Sequence, residues 1–365
     1  MHERNLPKRR SVAKYVFFAL LILIIGIKIS SLNSLFIEKY YSTGIYPYVA
    51  RFFRIIFGWI PFSFGDILYA AAGLYLVIKI FRLVKLFFKR PLNKQVLKLK
   101  ALKLAFLLAI VYLVFNISWG LNYNRLGIGH QLNLDTAGYT NEDLKQITSL
   151  LVEKVNQSRR TLADKISYPP YPEIFNQSIA AYTIAEKQYP FLEYDYRSIK
   201  KSLYGRLGNV VGFLGYYNPF TAESQLNLTQ PRFLIPFVTC HEIAHQLGYA
   251  SEKQANFVGY LSAVQSPNTL FHYSAYFDLF NYANRELLMQ DSVQAKENYR
   301  QLDTLVKVDF QELRAFLKKN KNPVEPIMRI FYDQYLRANQ QAKGYKSYNE
   351  VVALLIAHYK KYKRI

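Results

Sequence analysis

The chain has 365 residues and a formal net charge of +22, from 47 Lys and Arg against 25 Asp and Glu, which excludes an acidic, solvating disordered chain. Its single cysteine, Cys240, excludes an intrachain disulfide, a cysteine zinc knuckle and a redox pair. The basic excess is concentrated in residues 1–121, with 18 Lys and Arg against 3 acids, and lies among apolar runs rather than in a basic stripe with base-stacking aromatics, so it points to a lipid bilayer and not to nucleic acid.

Residues 15–27 are unbroken apolar chain, and with Lys28 snorkelling the run reaches Leu32, close to the roughly 20 residues a helix needs to cross ~30 Å of hydrocarbon. Basic residues precede it as in a secretory signal, but no small-residue cleavage site follows, so residues 15–32 read as a retained span. Residues 60–80, with Asp66 near one end, and residues 101–121 read as the second and third spans, with Trp119 and Tyr123 at a membrane–water interface. Five basic residues (Arg4, Lys8, Arg9, Arg10, Lys14) precede the first span and eight lie from Arg82 to Lys103, against three in residues 33–59. Lys and Arg are retained on the cytoplasmic side, so the N-terminus and second loop are expected there and everything after Leu121 outside. The first loop carries Tyr46, Tyr48, Phe52, Phe53, Phe57 and Trp59 around Arg51 and Arg54, which suits a short helix in the headgroup layer or one packed under the outer domain.

From Asn122 the composition turns to mixed charge with amphipathic periods and no dividing linker, so residues 122–365 read as one outer domain beside the membrane domain 1–121. Thr140 suits the N-cap of a helix over 141–160, with apolar Leu144, Ile147, Leu150, Leu151 and Val155, and Pro169, Pro170 and Pro172 mark a loop. Residues 205–221, rich in glycine and β-formers, read as a short hairpin or extended pair. Residues 224–228 alternate as an edge strand does, where an extended substrate could pair by strand addition, or else form an internal strand. Residues 268–320, 326–338 and 349–361 are helical by spacing. The fold class expected is a mostly α membrane protein: three N-terminal transmembrane helices, then a helix-rich domain with a small sheet.

Residues 241–245 read His-Glu-Ile-Ala-His, the H-E-x-x-H pattern. On a helix, positions i and i+4 share a face, so His241 and His245 can both reach one Zn²⁺ at ~2.0–2.1 Å. Glu242 then stands beside them as the general base that takes a proton from water and returns it to a leaving amine. Pro236 suits the first turn of this helix and Gly248 its C-terminal stop. Glu252, in a helix starting near Ser251 and turning back toward the metal, is the first choice of third ligand. Gln254, for which Ser251 and Gln254 form a capping box, and Glu223 remain alternatives. Cys240 reads as core filling, and His272 and His358 as packing residues. These two histidines, with Tyr332, Tyr335 and Tyr348, are the candidate transition-state donors.

Residues 216–261, with YYNPFTAE, CHEIAHQLGYA and ExxANFVGYL, resemble the bacterial domain-of-unknown-function family 3810, whose order of elements matches nearly the whole chain. The resemblance implies N-terminal transmembrane helices, an outer zincin-like α+β domain, zinc, and a place in the bacterial cell envelope. In that family the last motif usually resembles Glu-x-Glu-Ala-Asn-Phe, and here the second acid is replaced by Gln254. The function expected is a membrane-anchored zinc metallopeptidase acting on peptide or protein substrates at the inner membrane, with His241, His245 and Glu252 on the metal and Glu242 as base. A catalytically silent binding module and a zinc hydrolase of a non-peptide bond are the alternatives.

Overall fold

The computed structural model describes residues 6–89, 94–339 and 350–365. The membrane-proximal part holds α1 (Leu6–Ser31), a π-helical stretch over Ile37–Ile45, α2 (Tyr46–Phe57), α3 (Phe64–Lys89) and α4 (Lys94–Ser118). Two helices, Phe64–Lys85 within α3 and Lys94–Ser118, are long and apolar enough to cross a membrane. Tyr15–Ser31 joined to Ser34–Phe57 makes a third if that pair, bent by 100°, is one span. The second and third helices end at Lys89 and Ser118 rather than at residues 80 and 121, and both starts differ as well. The second run begins at Phe64, not residue 60, because residues 58–63 form a turn in which the Ser63 hydroxyl accepts from the Asp66 N–H. The third begins at Lys94, so part of the expected basic loop continues the helix.

The first aromatic loop packs under residues 122–365, one of the two arrangements the sequence allowed. α2 buries Tyr46, Ala50 and Arg54 there, Tyr46 and Arg54 donating to the Gln246 carbonyl oxygen, and leaves Tyr48, Phe52, Ile55 and Ile56 exposed. Trp119, placed at an interface by the sequence, is instead 5% exposed, packed on Tyr217 and Tyr123, because its indole N–H has a partner inside the protein.

Beyond residue 121 the chain forms α5 (Asn141–Arg160), α6 (Tyr171–Ala185), β1 (Ile199–Lys201), α7 (Gly205–Val211), β2 (Gly215–Asn218), β3 (Glu223–Leu226), α8 (Ile235–Gln246), α9 (Glu252–Ala263), α10 (Thr269–Gln290), α11 (Ser292–Arg300), α12 (Thr304–Asn320), α13 (Val324–Ala338) and α14 (Val351–Tyr362). Thr140 caps α5 in a reciprocal box with Asp143, as its sequence directs. The proline loop is shorter than expected, since Pro172 already lies in the first turn of α6. Residues 205–211 are helical rather than the start of a hairpin; the hairpin is confined to β2 and β3, paired antiparallel with Tyr217 opposite Ser224. The sheet order is β1-β3-β2, with β1 parallel to β3. β3 is therefore the central strand, buried at every position, and the edge facing the motif helix belongs to β2.

In the larger of two core clusters Leu144, Ile147, Leu151 and Val155 of α5 join Phe271, Phe277 and Phe280 of α10 and Phe237, Ile243 and Ala244 of α8; the smaller gathers Ile37, Tyr41, Tyr46, Ala50 and Trp119 with Tyr217 and Ala250. Each large apolar side chain buried there contributes about 1.5–3 kcal/mol. α8 thus runs through the interior, with α9 and the sheet on either side.

Candidate functional site

α8 begins with Pro236 in its first turn and ends before Gly248, whose φ of +85° supplies the left-handed residue that stops the helix. His241 and His245 project from one face, their rings 4.7 Å apart and nearly perpendicular. Gly259 decides how closely α9 can approach: a β-carbon there would lie 3.0 Å from the His241 backbone nitrogen. This contact sets Glu252, Asn256 and Gly259, at i, i+4 and i+7 of α9, along one face against the motif helix. Glu252 Oε2 lies 3.2 Å from His241 Nε2 and 3.7 Å from His245 Nε2.

The other imidazole nitrogens are committed. His241 Nδ1 is 2.7 Å from Asn256 Oδ1, and His245 Nδ1 is 2.8 Å from the Tyr249 carbonyl oxygen. Both acceptors require a proton on Nδ1, so in the neutral rings both Nε2 lone pairs face Glu252. The three ligand atoms lie within 4.8 Å of one another. A tetrahedral ion with ~2.0–2.1 Å bonds separates its ligand atoms by ~3.3 Å, so the donor set fits zinc in chemistry, and the two histidine–carboxylate separations are close to it in spacing. The far carboxylate oxygen, Glu252 Oε1, accepts from the Tyr332 hydroxyl of α13 at 2.6 Å.

Burial disfavours charge on both members of the His241–Glu252 pair, but their mutual hydrogen bond and attraction win, pushing His241 up to about 9 and holding Glu252 well below the usual carboxylate range. Glu242 is 3% exposed, its Oε2 has no hydrogen-bond partner among the described residues, and burial pushes it up to about 7 against the pull of both histidines. A cation held between the imidazoles would draw that value back down. Gly215, first residue of the edge strand β2, leaves room for this carboxylate: a β-carbon there would sit 2.5 Å from Glu242 Oε1.

Neither alternative third ligand belongs to the cluster: Glu223 is engaged elsewhere, and Gln254 lies apart with its Oε1 unpaired among the described residues. Glu223 accepts from the Phe64 and Gly65 N–H groups, at 3.1 and 2.5 Å, and so caps the start of α3. The Gln254 amide lies against Gly127, and the expected capping box does not form: the Ser251 hydroxyl makes no hydrogen bond among the described residues. Cys240 is fully buried, as expected of core filling. His272 bonds the Ser266 carbonyl oxygen, and His358 packs between Phe257 and Tyr362, so both have structural places. Of the tyrosines, Tyr332 touches the site, Tyr335 stacks on Tyr332 and bonds Tyr123, and Tyr348 lies outside the described residues.

Sequence reasoning missed Asn256, the Tyr249 carbonyl, Trp119, Gly215 and Asp278, whose carboxyl burial pushes up to about 6 while the charge of His241 pulls it down. Only Asn256 had a legible signal, its four-residue spacing from Glu252. A wide apolar groove of about 390 Å³, lined by Tyr48, Phe52, Phe53, Val114 and Ile117 among others, shares no residue with the site.

Membrane-length helices joined to a domain that holds a buried His-His-Glu cluster define the class: a chain with helices long and apolar enough to cross a membrane and, among its described residues, a group that could hold a metal ion. The chain belongs to the family described as Protein of unknown function (DUF3810), whose model matches residues 41–356. Comparison with curated proteins and with solved structures gives no match.

Proposed function

We propose that this protein is a membrane-anchored zinc metallopeptidase of zincin type, with its N-terminus in the cytoplasm and residues 122–365 outside it, acting on peptides or proteins at the bacterial envelope. The observation that carries the reading is the convergence of His241 Nε2, His245 Nε2 and Glu252 Oε2, with the Glu242 carboxylate buried beside them. His241, His245 and Glu252 would hold the ion. When bound, zinc supplies a Lewis acid that polarises a carbonyl and lowers the pKa of water.

The chain's own residues do the rest. Asn256 and the Tyr249 carbonyl fix each imidazole with its proton on Nδ1, which keeps both Nε2 lone pairs turned inward. Tyr332 holds Glu252 Oε1 and so presents Oε2 to the histidines. Glu242 accepts a proton from the attacking water on its carboxylate and delivers it to the leaving amine. β2 lies at the edge beside Glu242, so an extended peptide can be aligned along it by main-chain hydrogen bonds.

The test is Glu242→Gln in the full-length chain. The amide is nearly isosteric, so zinc content and thermal stability should stay near wild type while turnover falls by ~10²–10⁴-fold. Envelope proteins and peptides from cells carrying each form are compared; full rescue of a deletion phenotype by Glu242→Gln sinks the peptidase reading in favour of a binding module.

A further inference from the structure

We propose that α13 is a lipid-contacting helix whose apolar stripe lies in the outer interface of the bilayer and holds the mouth of the His-His-Glu site at the membrane surface. Val324, Ile327, Met328, Phe331 and Tyr335 recur at three- and four-residue spacing and are all exposed, Phe331 at 62%. Leu336 is the helix's one buried residue. A stripe of this kind facing water marks an interaction site rather than chance exposure.

Three observations identify what covers it. The first is continuity with the membrane-length helices: the Tyr335 hydroxyl lies 3.2 Å from that of Tyr123, and Tyr123 packs edge-on against Trp119, the residue that follows α4. The apolar phase within reach of α13 is therefore the bilayer that α4 is long enough to cross. The second is charge: exposed Lys318, Lys319 and Lys321 lead directly into α13, which also carries exposed Arg329 and Arg337. Basic side chains beside an apolar helical stripe are what an interfacial helix offers to anionic headgroups. The third is attachment to the site. On the flank of the stripe Tyr332 donates to Glu252, and before the helix the Asn322 amide donates to the Val210 carbonyl oxygen of α7. One surface of α13 thus meets the site's carboxylate and, through Tyr335, Tyr123, while Val324, Ile327, Met328 and Phe331 of the stripe stay exposed. This placement stands whether or not the site is a peptidase.

Cys240 is fully buried, so a cysteine introduced at Phe331 is the one accessible thiol for an environment-sensitive fluorophore among the described residues. Full-length Phe331→Cys protein, labelled there, is reconstituted into vesicles of mixed phosphatidylcholine and phosphatidylglycerol. The expected result is blue-shifted emission that is lost when the lipids carry bromine on the upper acyl chain. Water-like emission overturns the proposal, and so does blue-shifted emission that brominated lipid leaves unquenched, which would place the stripe against a second copy or another part of this chain. Ile327→Cys, one turn earlier on the stripe, is read the same way, so the outcome does not depend on one substitution being tolerated.

Discussion

The indole N–H of Trp119 donates to the carbonyl oxygen of His245 over 3.2 Å, and the two rings stand edge to face with centroids 6.1 Å apart. One candidate ligand is therefore a single side chain away from the end of a membrane-length helix. The same arrangement is repeated around the end of α8. Tyr46 and Arg54 donate to the Gln246 carbonyl oxygen, and Arg125, paired bidentately with Glu38, donates to that of Gly248. A helix end leaves its last carbonyls without intrahelical partners, and a buried unpaired group costs about 1–3 kcal/mol. Here Trp119, Tyr46 and Arg54 of the membrane-proximal segments add partners to those supplied by Arg125 and by the local Gly248 N–H, which also reaches the His245 carbonyl oxygen, so the site rests in part on those segments.

Trp119→Phe keeps an aromatic ring but removes the donor and part of the packing. Stability should fall by about 1–3 kcal/mol, read as a lower Tm of the full-length protein, and zinc should bind more weakly because His245 is less well held. An unchanged Tm with unchanged zinc affinity would mean that this hydrogen bond supports neither.

Zinc stoichiometry of purified variants tests the ligand set. Glu252→Ala should lose most bound metal, whereas Gln254→Ala should keep it, since the amide lies on Gly127. Asn256→Ala should retain the ligands but weaken affinity by ~10–100-fold, the usual effect of removing a residue that orients a metal-bound histidine. The reverse order for Glu252 and Gln254 would move the third ligand to position 254.

His358 gives the C-terminal domain a pH dependence. Burial holds its imidazole down to about 4, reinforced by the charge of Arg364. In the unfolded chain it titrates near 6.5, so between ~6.5 and 4 the unfolded state binds more protons and stability falls as pH falls. The contribution is fully present above pH ~6.5. Unfolding followed across this window should show a loss on acidification that His358→Phe makes shallower; parallel curves for the two proteins would assign it to other groups.

Orientation is tested by reporters. A C-terminal fusion should behave as extracytoplasmic and one near Lys94 as cytoplasmic, from the five and eight basic residues before the first span and from Arg82 to Lys103. The opposite pattern would place the site in the cytoplasm.

The sequence by itself determined what local geometry controls. Apolar runs marked the membrane-length helices, Pro236 and Gly248 bounded α8, and the four-residue spacing put His241 and His245 on one face. Even α5 could be placed from its cap and period, because both act within a few residues of chain. The choice among Glu252, Gln254 and the more distant Glu223 was a different kind of question, since all three offered side-chain oxygens and spacing alone did not say which reaches the histidines. Close packing at Gly259 brought Glu252 to the histidines, the start of α3 claimed Glu223, and Gly127 received Gln254. Tyr332 reached Glu252 from 80 residues away. Residues 205–211 became helix although their composition read as β, and Trp119 turned inward because a buried helix end needed its N–H. Periodicity and capping are written in neighbouring residues, whereas the third ligand depends on which distant backbone and carboxyl groups must find partners once the chain is packed.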